Sequence, residues 1–107
     1  MKQITIDEAK KMIKENEKVL LMFSTKWCGD CIMTKVVCKK VFPEYEDKVA
    51  IGSIDVDEQK AWVEDGKDFQ IDHVPTILGY KNGKQIFMHE NFISEPELRG
   101  LLDKLED

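Results

Sequence analysis

Apolar positions along this chain follow two different periods. From Ile6 to Asn16 they recur at helical spacing, with Ala9, Met12 and Ile13 on one face and lysines and acids elsewhere, which predicts an amphipathic helix. At Val19 to Phe23 the pattern becomes an unbroken run, Val-Leu-Leu-Met-Phe, short enough for a strand buried on both faces. A second helix is predicted from near Gly29 to about Tyr45, with Pro43 breaking or bending it because proline lacks the N–H a helix interior needs. Val49 to Val56 reads as another buried strand, and Glu58 to Asp65 as a short polar helix ending before Gly66.

Two β-prone runs, Thr76 to Tyr80 and Gln85 to His89, flank Lys81-Asn82-Gly83-Lys84. Asn-Gly between such runs signals a hairpin, since a type I′ turn needs positive φ at both centres. Ser94-Glu95-Pro96-Glu97 then has the capping-box spacing, opening a helix whose apolar stripe is Leu98, Leu101, Leu102 and Leu105. The order is α-β-α-β-α-β-β-α. An initial βαβ unit with a closing antiparallel hairpin and helix predicts an α/β fold, a central mixed β-sheet flanked by helices on both faces.

Length and composition narrow the class. A chain of 107 residues, 42% hydrophobic, suits one domain spanning 1–107 with one modest core. There is no internal repeat, linker-like stretch or low-complexity segment. The formal net charge of −5 argues against nucleic acid or an anionic membrane as partner. No apolar run approaches the ~20 residues that span a bilayer. Met1 to Lys11 alternates charged and apolar residues and lacks a signal-peptide core. Three cysteines, two of them close-set, make a poor disulfide framework for a secreted domain. A reducing, cytoplasmic location is expected.

The chemistry concentrates at Trp27-Cys28-Gly29-Asp30-Cys31, between a buried strand and a helix start. The free N–H groups and positive end of a helix stabilise a thiolate there. Cys28, at the mouth, is expected to attack a substrate disulfide, and Cys31, about one turn further in, to attack the mixed disulfide and release reduced substrate. Three residues around a helix start keep the two sulfurs close enough to bridge. Two other readings of Cys-x-x-Cys are half of a zinc site and a pair of inert buried cysteines. For zinc the remaining candidate ligands are Cys38, His73 and His89, with no second Cys-x-x-Cys and no His-x₃₋₅-His, so no metal is expected. Proximity to a βαβ pattern favours the redox reading.

Trp27 to Cys31, followed by Val74-Pro75-Thr76 and then Lys81-Asn82-Gly83, resembles the thioredoxin family in motif order and spacing over nearly the whole chain. The resemblance implies a thioredoxin-like fold, a cis Val74–Pro75 bond beside Cys28, and substrate docking along the backbone before Pro75. It places Trp27, Val74, Pro75, Thr76, Asn91 and Phe92 at the substrate, and Lys26, Trp27, Gly29 and Asp30 around the sulfurs. From the residues alone, Pro75 reads only as a proline at the start of a strand.

The chain also departs from that family. Its buried Asp, six residues before the first cysteine, is Met22 here, and the lysine that accompanies it corresponds to Ser53. Neither role carries over, so Cys31 would lose its proton to water, the departing thiolate or a carboxylate such as Asp55 or Asp57. The usual Gly-Pro between the cysteines is Gly29-Asp30: Asp30 repels a thiolate at Cys28, while Lys26 attracts it. Phe23 is followed by Ser24 instead of Trp, a kinking proline in the second helix is Val36, and a glycine usual in the docking groove is Asn91. Asn91 and Phe92 should narrow that groove and change the client set.

Other residues read as background. Cys38, seven residues after Cys31 and about 10.5 Å along the helix axis, is too far for a disulfide with it without unwinding and reads as a core thiol. His73 reads as a partly exposed loop residue near the site, His89 as a surface strand end, and Trp62 as a packing residue on the short helix. Asp55, Asp57 and Glu58 read as a solvated strand end.

The leading function is reduction of protein disulfides, making the chain an enzyme. The implied partners are disulfide-containing proteins and, as electron donor, a flavin-containing NADPH thioredoxin reductase. No cofactor is expected, for there is no Gly-x-Gly-x-x-Gly or Walker sequence, and a monomer is expected. The competing class is a thioredoxin-like adaptor that binds without turnover: two cysteines favour the enzyme, and the missing acid favours the adaptor or a slow, specialised enzyme. A glutathione-dependent reductase lacks an obvious basic pocket.

Overall fold

The computed structural model describes residues 1–107. A two-residue strand β1 (Lys2–Gln3) precedes helix α1 (Ile6–Glu15), strand β2 (Lys18–Ser24) and helix α2 (Gly29–Val41). Strand β3 (Ala50–Asp55), the short helix α3 (Val56–Gln59), strands β4 (Thr76–Lys81) and β5 (Lys84–Glu90), and helix α4 (Glu95–Glu106) follow. The sheet order is β1-β3-β2-β4-β5, with β1, β3 and β2 parallel and β4 and β5 antiparallel. This is the mixed sheet that the order of elements predicts. No helix is long and apolar enough to cross a membrane.

Strand β2 explains how the layers are held. All five residues of Val19 to Phe23 are fully buried, and alternation divides them between the two faces. Val19, Leu21 and Phe23 join a core with Ile6 and Ala9 of α1, Val56 of α3 and Ile54 of β3. Leu20 and Met22 join a second core with Cys38 and Val41 of α2 and Leu98, Leu102 and Leu105 of α4. Both long terminal helices open on full capping boxes, Thr5 with Glu8 and Ser94 with Glu97. Asn82 and Gly83 take φ of 53° and 82°, as the type I′ turn requires.

The structure corrects three boundaries. Strand β1 has no signature in the pattern, because two exposed residues carry no alternation to read. Helix α2 ends at Val41, and Pro43 sits inside a 3₁₀ turn, Phe42–Glu44, that continues from it. The single helix expected over Glu58 to Asp65 is two pieces. Asp55 caps α3 by accepting from the Glu58 N–H at 3.0 Å, the chain reverses at Lys60 (φ 51°), and a 3₁₀ turn forms at Val63–Asp65. Breaking the helix lets Ala61 reach full burial and puts Trp62 in extended backbone, bridged to Ile71.

Candidate active site

Cys28 is the last non-helical residue before α2, with extended backbone, and its Sγ accepts the Cys31 backbone N–H at 3.1 Å. The sulfur thus occupies the place of an N-cap oxygen, where the helix end offers unpaired donors to negative charge. All three cysteines are free thiols in this structure. Cys28 keeps 7% of its surface exposed and Cys31 none, so Cys28 is the accessible member of the pair.

The Cys31 thiol is pushed up to about 12, chiefly by burial and then by its hydrogen bond to the Cys28 side chain. A backbone contact from Thr25 and the charge of Lys35 pull weakly the other way. No carboxylate is hydrogen-bonded to the thiol to accept its proton. Met22 is fully buried, pairs across the sheet with Ser53 and Ile77, and lies 4.0 Å, sulfur to sulfur, from Cys38. The carboxylates offered as substitutes are engaged elsewhere: Asp55 caps α3 and Asp57 accepts from two indoles. The hydroxyls of Thr25 and Thr34 are buried without a hydrogen-bond partner. Thr34 lies three residues beyond Cys31 on the same helix face, the stripe that continues to Cys38 and Val41.

The loop facing Cys28 is fixed by its own bonds. The Val74–Pro75 peptide is cis, in agreement with the expectation. The Val74 carbonyl accepts from the Cys28 thiol at 3.6 Å, the Thr76 hydroxyl donates to the His73 carbonyl at 2.6 Å, and the Asn91 N–H donates to the Pro75 carbonyl at 2.8 Å. Val74, Pro75, Thr76 and Asn91 therefore come together beside Cys28. Thr76 is buried with its hydroxyl committed to the loop, which leaves it a local fastener. Asn91 has φ of 73°, a left-handed conformation that asparagine adopts more readily than most residues other than glycine. Phe92 is exposed, its carbonyl 3.2 Å from His89 Nε2.

On the other side of Cys28, sequence reasoning missed a cluster. Trp27 Nε1 donates to Asp57 Oδ2 and Trp62 Nε1 donates to Asp57 Oδ1, both at 2.8 Å. The two indoles are nearly parallel, 15° apart with centroids 6.4 Å apart. Trp62 does pack against the core, as expected, but it also backs the motif tryptophan. Asp55 is thus a buried cap rather than part of a solvated end, whereas Asp57 and Glu58 are exposed as expected and Asp57 also accepts both indoles. The Asp-x-x-Glu spacing of Asp55 and Glu58 was a legible cap signal; the meeting of Trp27 with Trp62, 35 positions away, had none. Gly29 and Asp30 stand exposed at the first turn of α2, and Lys26 Nζ is 2.8 Å from a carboxylate oxygen of Glu58. For the zinc reading, no group of three or more His, Cys, Asp or Glu side chains that could hold a metal ion is present.

Known proteins are similar to this chain over nearly its whole length. The sequence model of the family named Thioredoxin matches residues 1–106. A thioredoxin of Mycoplasmoides gallisepticum is 29% identical over 95% of this chain and 99% of its own. A thioredoxin-like protein of Synechocystis is 30% identical over 82% of this chain and 78% of its own. Among solved structures, oxidised mitochondrial thioredoxin 3 of Saccharomyces cerevisiae superposes with a TM-score of 0.82 at 26% identity, covering 98% of this chain and 95% of that one. Oxidised thioredoxin of Plasmodium falciparum gives 0.81 at 27% identity, covering 97% and 96%.

Proposed function

The chain belongs to the thioredoxin family, and from that premise we propose that it reduces protein disulfides, Cys28 as nucleophile and Cys31 as resolving thiol. A thiol–disulfide oxidoreductase role comes with the family and fold. The observation that carries the finer reading is the sulfur of Cys28 capping α2, with Cys31 buried directly behind it. An adaptor needs neither thiol in that place.

The Cys28 thiolate attacks one sulfur of the substrate disulfide: a Cys28–substrate S–S bond forms, the substrate's own S–S bond breaks, and one substrate thiolate leaves. Cys31 then loses its proton and attacks Cys28 Sγ, forming the Cys28–Cys31 disulfide and expelling the second thiolate. The substrate has gained two electrons and the protein has lost them. Their return is assigned to an NADPH-dependent thioredoxin reductase, and the chain acts as a single-domain monomer in the reducing cytoplasm. Val74, Pro75, Asn91, Phe92 and Trp27 form the rim on which the client rests, with Lys26, Gly29 and Asp30 shaping the charge and access at Cys28.

Redox titration coupled to NADPH consumption through thioredoxin reductase tests this reading. The expected result is turnover with a two-electron potential near −270 mV, about that of thioredoxin. Absence of turnover with a redox-inert Cys28/Cys31 pair would favour the adaptor instead.

A further inference from the structure

The cluster of Trp27, Trp62 and Asp57 has a chemistry of its own. Each indole N–H donates to a separate oxygen of one carboxylate, at 2.8 Å. Donation to an anion pushes electron density back into the donor's ring, and the ring face, already negative through its quadrupole, becomes a stronger acceptor of cations. Trp62 backs Trp27 at an interplanar angle of 15°, yet Trp27 remains 68% exposed beside Cys28. The nearest cation in sequence, Lys26, is held by Glu58 and does not occupy the ring. Asp30 stands exposed two residues past Cys28 and adds negative potential to the same rim.

From this geometry, and resting on the disulfide-reductase reading above, we propose that the Trp27–Trp62 plate anchored on Asp57 is a cation-recognition site. It selects clients that carry an arginine or lysine next to the cysteine under attack. Trp27 contacts the client cation. Trp62 and Asp57 are positioning residues that fix the ring and enrich its face. The site enters before the chemistry and changes no bond, so it acts on encounter and on the lifetime of the mixed disulfide.

Two short peptide disulfides, identical except for arginine or citrulline beside the reactive cysteine, separate cation from shape. The expected result is a kcat/KM for the arginine peptide about two- to fivefold higher, the range of an exposed cation–π contact. The difference should lie mainly in KM. Trp27→Leu should abolish the preference, and Trp62→Phe, which changes no charge, should reduce it. A ratio near one in the natural protein would overturn the proposal, and so would a preference that survives Trp27→Leu, which would assign it to the general acidic surface. Binding without turnover gives a second readout. These are the chain's two tryptophans, so their emission can be titrated with the reduced forms of both peptides. Tighter binding of the arginine peptide supports the site even if no peptide disulfide is reduced, a failure that would count against the reductase reading alone. Equal midpoints would overturn the site.

Discussion

Cys31 concentrates the tension in this protein. Its thiol must ionise to attack, and burial holds it up to about 12 with no acid or histidine bonded to it. Only a small fraction is thiolate near neutrality, so the second step should quicken steadily as pH rises from about 6 to about 9. Stopped-flow decay of a preformed mixed disulfide measures this directly. Met22→Asp, which restores a carboxylate to the strand beneath α2, should raise the rate near pH 7 and flatten the profile, though a buried carboxyl will cost stability. Flat, fast decay in the natural protein would point to another base.

The same shift has a thermodynamic side. Cys31 and Cys38 are both raised to about 12 in the fold, by burial first, against about 8.5 for a free cysteine. The fold thus favours the protonated thiols. That contribution is fully present below about pH 8.5 and is lost as pH climbs towards 12. Urea unfolding midpoints should fall through this window, and fall less steeply in Cys38→Ala, whose neutral-pH stability is lower because a cavity replaces the sulfur. Equal slopes would contradict the assignment to Cys38.

Elements were legible where a local rule governs them. The capping box of α4, the type I′ turn and the doubly buried β2 follow from spacing that acts within a few residues, and the Thr5–Glu8 box of α1, not read from the sequence, obeys the same rule. The segment after β3 was not, because its shape is decided by Ala61 and Trp62 reaching partners far along the chain. Strand β4 holds a similar long-range fit. Gly79 lies under the ring of Phe87 on β5, and a Cβ there would run into it. Gly79→Ala should therefore cost about 1–3 kcal/mol by overpacking, read as a lowered thermal midpoint. Phe87→Leu in the same chain should recover part of it. An unchanged midpoint in Gly79→Ala would mean that the ring moves aside freely.

At the scale of the molecule, the sheet brings three distant segments to one point: the start of α2, the cis-proline loop before β4, and the turn after β5. Sequence pattern predicted the layers, and the motif predicted which cysteines meet. What it missed, the Asp57 acceptor and its second indole, depends on contacts across 27, 57 and 62 that no periodicity encodes. Met22 shows the converse: its apolar character was plain in the sequence, and the structure adds that no neighbour replaces the acid. The central claim is that Cys28 takes the substrate and Cys31 resolves it. Its most direct test is to incubate the Cys31→Ser variant with insulin and map the trapped adduct by mass spectrometry. A stable mixed disulfide through Cys28, absent from Cys28→Ser, is the expected result; an adduct through Cys38, or none at all, would contradict these roles.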